Sequence, residues 1–318
     1  MKQIDLPLID LGKSPSLIQS TLDEAFSKLG FTYLKAPDFP ERLFSEISEL
    51  SYEYFDQPLE TKMDLATKRF RPNHKNNYRG YFPPETNKIT YKEGFECGFD
   101  PYGEHPNVWP QIKADFNPSD NENAKTRFQE VVEKYLDHIH VVAMDLLNHL
   151  ARILNVNNDN LIKYCKHSPS TLRLLHYPPA RNHSSRETES RKTEFATPDH
   201  TDSGLLTILW QDNHGGFELL PRGEKSWIKV KPKTGTFLVN IGDALSILSG
   251  QRFHSTRHRV ISQAQRRLSI PYFFEPDPRM PLVDLAANSV QSASASALTY
   301  GELLERKKAG FLEYQKKP

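Results

Sequence analysis

A histidine and an aspartate two residues apart, His200 and Asp202 in "TPDHTDSGLLTIL", stand immediately before an apolar run. A carboxylate beside a core strand is costly unless a cation or a hydrogen-bond donor meets it. The pair is therefore either a polar turn or half of a metal site. On extended backbone, residues two apart point the same way, so an imidazole and a carboxylate can share one ion. A third ligand must come from a distant strand, and "FHSTRHRV" offers His254 and His258. Two imidazoles and one carboxylate on one face leave open positions opposite, which suits a ferrous ion better than a closed structural zinc site. A zinc protease would need His-Glu-x-x-His on a helix. Here Ser255 replaces the glutamate and Arg259-Val260-Ile261 reads as strand, which excludes that chemistry.

Shortly after His258 comes "RLSIPYFF", in which Arg267 and Ser269 alternate with Leu268 and Ile270. Strand alternation sends the arginine and the hydroxyl to one face and the two apolar residues to the other. A guanidinium aimed into a β-core calls for an anion, and a carboxylate is its best partner. An internal Arg–Asp or Arg–Glu pair would satisfy it equally well. Beside a metal triad, a small dicarboxylate cosubstrate is the better explanation.

The elements that must position these residues are mostly strands. After Thr171 the chain reads as "TLRLLHY", "GLLTILW", "GFELL", "SWIKVK", "GTFLVNIG", "ALSILSG", "TRHRVIS" and "RLSIPYFF", punctuated by turn residues. Such spacing predicts a sandwich or barrel. Before it, "DLPLIDLG" and "FTYLK" read as strands, while 16–29, 41–54 and 128–154 carry helical apolar spacing. Residues 69–110, rich in Pro, Gly, Asn and aromatics, read as long loops with short strands over a site. The charged stretch from Ala180 to Phe195 reads as an exposed loop or hairpin, and "TYGELLERKKAGFLEYQ" as a closing helix. The expected organisation is 1–170 as a helical and loop region packed on a core at 171–318, together forming one composite domain.

The totals restrict the class. With 318 residues, 37% hydrophobic and 25% charged, the chain suits a globular protein, and a net charge of +1 gives no footprint for nucleic acid or an anionic membrane. No apolar run approaches membrane-spanning length, and the N-terminus lacks a secretory pattern. Two cysteines, Cys97 and Cys165, make no disulfide framework or metal motif. A cytoplasmic monomer with a small-molecule substrate is the expectation.

These residues carry a resemblance. The order "LLHYPP … HTDSGLLTIL … GGFELL … FLVNIGDAL … HSTRHRV … RLSIPYFF" resembles the 2-oxoglutarate/Fe(II)-dependent dioxygenase superfamily, in its isopenicillin N synthase-like branch. "EAFSKLGFTYLKAPDF", "RGYFP" and "KEGFECGFD" resemble that branch's N-terminal helix and middle loops. The resemblance implies a mainly β (α+β) fold: a double-stranded β-helix, or cupin-like jelly roll, with an N-terminal helical region and a C-terminal helix. It implies Fe(II) held by His200, Asp202 and His258, and 2-oxoglutarate gripped by Arg267, Ser269 and Tyr177, with O2 as cosubstrate. Many plant members carry Asn two before that tyrosine; this chain has Leu175. The expected reaction is oxidation, most simply hydroxylation, of a small organic molecule with release of succinate and CO2. Arg79 in "NNYRGYF", Arg173 and Phe273 are candidates for the substrate side, Asp243 for a turn or a metal neighbour, and His254 for an exposed position. The other readings are an oxidase of the same branch that dispenses with 2-oxoglutarate, a metal-dependent hydrolase, and a silent binding protein.

Overall fold

The structure is a computed structural model that describes residues 3–74, 76–84, 92–99, 106–111, 125–165, 168–179, 195–285 and 297–308. The chain opens with β1 (Gln3–Ile4), β2 (Leu8–Asp10), α1 (Pro15–Lys28), β3 (Phe31–Lys35), α2 (Arg42–Phe55) and α3 (Leu59–Met63). Then come β4 (Gly80–Phe82), β5 (Glu93–Gly98), the long α4 (Arg127–Ile153) and α5 (Asn158–Ile162). The strand-rich part comprises β6 (Thr171–Tyr177), β7 (Phe195–His200), β8 (Leu206–Gln211), β9 (Phe217–Leu220), β10 (Ile228–Val230) and β11 (Phe237–Ile241). It ends with α6 (Asp243–Leu248), β12 (Arg257–Ile261), β13 (Arg267–Phe274) and α7 (Tyr300–Lys308).

The strands make an eight-stranded sheet, β2-β3-β11-β8-β13-β6-β5-β4, and a five-stranded sheet, β1-β10-β9-β12-β7. The first part of the chain does more than pack on this core. Its β2, β3, β4 and β5 extend the large sheet at both edges, and β1 extends the small one.

Alternation along the large sheet divides the interior in two. Leu268, Ile270, Tyr272 and Phe274 of β13, with Ile208 of β8 and Val239 of β11, face α1, α2 and α4 in one apolar cluster that includes Phe26, Ile47, Tyr135 and Leu146. The opposite face carries Leu175, Tyr177, Leu209 and Leu238, which meet Phe217, Leu219 and Val260 of the small sheet. The period of two thus puts Arg267 and Ser269 between the sheets, as their spacing predicts.

Helix ends follow local chemistry. Thr126 caps α4, its Oγ1 accepting from the Gln129 amide at 3.2 Å, a contact worth about 1 kcal/mol. After α1 the chain turns at Gly30 with φ 70°, where a Cβ would sit 2.0 Å from the His254 carbonyl; only glycine fits there. One expected strand is a helix: in "ALSILSG", Ala244, Leu245 and Leu248 are buried on one face of α6, and Gly250 at φ 60° ends it. Its apolar residues fit a short helix or a strand equally well, and the flanking glycines decide. The charged stretch 180–194 and the tail beyond 308 lie outside the described residues. Among the described residues no helix is long and apolar enough to cross a membrane.

Candidate metal centre and its pocket

β7 and β12 pair antiparallel, with His200 directly opposite His258. Their ring centroids are 4.3 Å apart. β7 ends at His200, and the chain bends so that Asp202 turns its Oδ1 to both rings, 3.5 Å from His200 Nε2 and 3.6 Å from His258 Nε2. One ligand atom from each residue lies within 4.8 Å of the others, a group that can hold a metal ion. Donors each about 2.1 Å from one ion stand up to about 4.2 Å apart, so both imidazole–carboxylate spacings fit.

The outer atoms of each ligand are already committed. His200 Nδ1 donates to the Pro198 carbonyl at 2.8 Å, and His258 Nδ1 to the Thr256 carbonyl at 3.1 Å. A carbonyl can only accept, so both rings carry the proton on Nδ1 and present the Nε2 lone pair inward. Asp202 Oδ2 accepts from Thr207 Oγ1 at 2.6 Å and Asn240 Nδ2 at 2.8 Å, which leaves Oδ1 facing the imidazoles. Burial alone would raise the Asp202 carboxyl, but His258, His200 and the Thr207 hydroxyl hold it well below the carboxylate range. Burial and the neighbouring His200 push His258 down to about 4, against the pull of Asp202. A neutral His258 and an ionised Asp202 at neutral pH are protonation states that suit a divalent ion.

Arg267 sits opposite Tyr177 on the β13–β6 ladder, its guanidinium 4.9 Å from the phenol ring centroid. It is 1% exposed. Nη2 donates to Gln211 Oε1 at 2.9 Å, while Nε and Nη1 are buried without a hydrogen-bond partner. The expected alternative, an internal carboxylate pair, is therefore not what satisfies this side chain. Two orphaned donors on a buried cation form a fork shaped for an incoming carboxylate. Ser269, also buried, lies on the same face one strand pair along, opposite Leu175 and Gln211. Burial would raise the Tyr177 phenol, but Lys92, Arg267 and hydrogen bonds to Thr197 and Ser269 outweigh it and hold it below its ordinary value. The donor set fits both groups that the sequence implied, a divalent ion and a dicarboxylate.

The remaining candidates divide. Arg173 projects from the same face of β6 as Tyr177, with its guanidinium 5.3 Å from the Phe273 ring and 5.7 Å from that of Phe82. Its Nε donates to Glu96 Oε2 at 2.7 Å. Arg79 is buried and donates through Nη2 to the Phe99 carbonyl at 2.9 Å. His254, expected at the surface, is only partly exposed; its Nδ1 is buried and its amide donates to the Phe26 carbonyl. Asp243 does more than start α6: its carboxylate accepts from Thr201 Oγ1 at 3.3 Å and from Ser255 Oγ. Both cysteines are buried.

Several members of the site carry little signal in their own segment. Thr207, Asn240 and Gln211 orient the ligands and the arginine. The one available signal was a buried Asn inside the apolar run "FLVNI". Glu275, two residues past Phe273, presses its Cγ against Gly204, where a Cβ would stand 3.1 Å away. Burial raises its carboxyl to about 7; Tyr300 and Arg173 pull down, Glu96 and Asp202 push up.

Sequence comparisons agree with this geometry. The family description "2OG-Fe(II) oxygenase superfamily" matches residues 168–276, and "non-haem dioxygenase in morphine synthesis N-terminal" matches 6–112. A 2-oxoglutarate-dependent dioxygenase of Didymella fabae is 30% identical over 291 residues, covering 85% of this chain and 83% of that protein. A probable iron/ascorbate oxidoreductase of Dictyostelium discoideum is 29% identical over 310 residues, covering 86% and 81%. In fold, the chain is similar to a full-length Neurospora crassa protein solved in complex with alpha-KG (TM-score 0.79, 23% identity, 96% of each chain). It is also similar to a putative 2OG-Fe(II) oxygenase family protein from Caulobacter crescentus (TM-score 0.76, 24% identity, 96% and 98%). The jelly roll, the facial His-Asp-His group and these relatives lead to one conclusion: the chain belongs to the 2OG-Fe(II) oxygenase superfamily and is a 2-oxoglutarate- and Fe(II)-dependent dioxygenase, an oxidoreductase.

Proposed function

We propose that the enzyme hydroxylates a small, uncharged organic molecule, using His200, Asp202 and His258 as the iron ligands and Arg267, Ser269 and Tyr177 as the seat of the distal carboxylate of 2-oxoglutarate. The observation that carries the cosubstrate part is the buried Arg267 with two unpartnered nitrogens. Bound Fe(II) supplies the chemistry by which O2 is split between substrate and cosubstrate, giving an alcohol, succinate and CO2.

The chain's own residues do the rest. Thr207 and Asn240 keep one carboxylate oxygen of Asp202 turned inward. Arg267 and Ser269 would hold the distal carboxylate of the cosubstrate, leaving its keto acid end to the metal. Phe31 and Phe217, which pack on the His258 ring at 5.5 and 5.3 Å between centroids, keep water off that side.

Support for an uncharged substrate comes from Arg173, on the same face of β6 as Tyr177, and from Glu275, beside Gly204. Arg173 is paired with Glu96 and covered by Phe82 and Phe273, so it offers aromatic faces rather than a bare cation. Glu275, its carboxyl raised to about 7, suits a hydrogen-bonding hydroxyl, amide or ring N–H, and only its ionised form disfavours an anion. The test is a substrate panel scored by succinate formation above the uncoupled background. Neutral ring compounds should stimulate turnover and their carboxylated analogues should not; preference for the carboxylates would overturn the substrate reading. Substrate oxidation with O2 but without any need for 2-oxoglutarate would instead favour the oxidase alternative.

A further inference from the structure

The last described helix, α7, reaches the metal centre through Lys307. α7 is anchored at its start, where the Tyr300 amide donates to the Met280 carbonyl and the Gly301 amide to that of Pro278. A helix of nine residues is about 13 Å long, and that length carries Lys307, in its last turn, to the loop between the ligands. Lys307 Nζ donates to the Thr201 carbonyl at 3.1 Å and to Thr201 Oγ1 at 2.9 Å, and it pairs with the Asp243 carboxylate. Thr201 is the residue between His200 and Asp202.

Asp243 is the hub of this contact. Its amide donates to the Asp202 carbonyl at 2.8 Å. Its carboxylate accepts from Thr201 and from Ser255, the residue before Thr256, whose carbonyl holds His258 Nδ1. One carboxylate thus ties together the backbone that carries all three ligands, and Lys307 is the cation that meets it. An exposed Lys–Asp pair contributes little. Here the two side chains are only 22% and 20% exposed, and the ammonium has three acceptors, two of them on the residue between ligands.

We infer that Lys307 is a positioning residue of the metal centre: docking of α7 through Lys307 onto Thr201 and Asp243 sets the spacing of His200, Asp202 and His258, and so the affinity for the metal. The inference rests on those three residues being the ligands. Charge alone argues the other way, since an ammonium near a divalent cation repels it. Weaker binding on removal of Lys307 therefore reports positioning, not field.

The test is anaerobic titration of the full chain with Mn(II), following the free ion by electron paramagnetic resonance. Lys307→Met should raise the dissociation constant about 10-fold, the lower end of what loss of a partner behind a metal ligand costs. Lys307→Gln, which keeps a donor for Thr201, should fall between that variant and wild type. Arg306→Met, the same charge change on an exposed neighbour, should bind as wild type. The visible spectrum of the Co(II) form should shift in Lys307→Met, a readout that a general loss of stability does not move. Equal or tighter Mn(II) binding in Lys307→Met and Lys307→Gln, or a loss matched by Arg306→Met, would overturn the inference. His200→Ala is run alongside: should it retain Mn(II), the ligand assignment itself fails, whatever Lys307 does.

Discussion

His200 and His258 are cross-strand partners, opposite each other on the β7–β12 ladder with their rings 4.3 Å apart. Two residues 58 positions apart in sequence are thus held at ligand spacing by backbone hydrogen bonding, before any ion arrives. The carboxylate completes the group through a bend rather than through strand geometry. His200→Ala should therefore remove metal binding while leaving the fold intact, since the ladder does not depend on the imidazole. Metal content after reconstitution, set against circular dichroism of the same sample, checks this. Stoichiometric iron in His200→Ala would contradict it.

Thr207 is the neighbour of Asp202 that can be altered most cleanly. Thr207→Val keeps the shape and removes the hydroxyl that accepts the task of holding Oδ2 in place. Metal affinity should fall by about 10- to 100-fold, with turnover recovering at high Fe(II). Competition with a chelator measures it; an unchanged affinity would show that Asn240 alone holds the carboxylate.

Arg267 should show a trade between stability and binding. Arg267→Met removes a buried cation with two orphaned nitrogens, each unsatisfied group costing about 1–3 kcal/mol. Without 2-oxoglutarate the variant should melt higher than wild type. Breaking a desolvated charge pair costs about 2–5 kcal/mol, so the 2-oxoglutarate requirement should rise at least about 30-fold. Thermal unfolding with and without the cosubstrate checks both arms. A variant that melts lower without it would show that the Gln211 contact outweighs the orphaned donors.

Glu275 gives a dependence on pH. Its carboxyl is raised to about 7 in the folded protein, so the native state binds this proton more tightly than the unfolded chain. The stability it contributes is present below about 4.5, the usual range for glutamate, and is lost as pH climbs towards 7, at no more than about 1.4 kcal/mol per pH unit. His258, lowered to about 4, acts in the opposite direction between 4 and 6.5, because its proton is bound more tightly when unfolded. The difference between wild type and Glu275→Gln isolates the glutamate: the variant should gain on wild type from pH 5 to 7. Parallel denaturation profiles would contradict a carboxyl raised to about 7.

What could be read from the sequence was local pattern, and what could not was register. The alternation of "RLSIPYFF" placed Arg267 and Ser269 on one face because side-chain direction in a strand has a period of two. The helix in "DALSIL" reads as a strand because six residues are too few for periodicity to separate the two. β7 carries no strand signal of its own, since "TPDH" has poor strand propensity; its ladder with β12 creates it. The pairing of Arg173 with Glu96 across 77 residues, of Asn240 with Asp202 across 38, and of Lys307 with Thr201 across 106 depends on which strands and helices become neighbours. No spacing rule within one segment contains that information.

One metal face and one buried arginine would meet in a single keto acid, whose chelate with Fe(II) would have a weak visible absorption. Anaerobic addition of Fe(II) and then 2-oxoglutarate should produce this band in wild type without any substrate. It should be absent in His200→Ala at all cosubstrate concentrations, and appear in Arg267→Met only at 2-oxoglutarate at least about 30-fold higher. A band of wild-type strength and midpoint in Arg267→Met, or none in the iron-loaded wild type, would contradict the account.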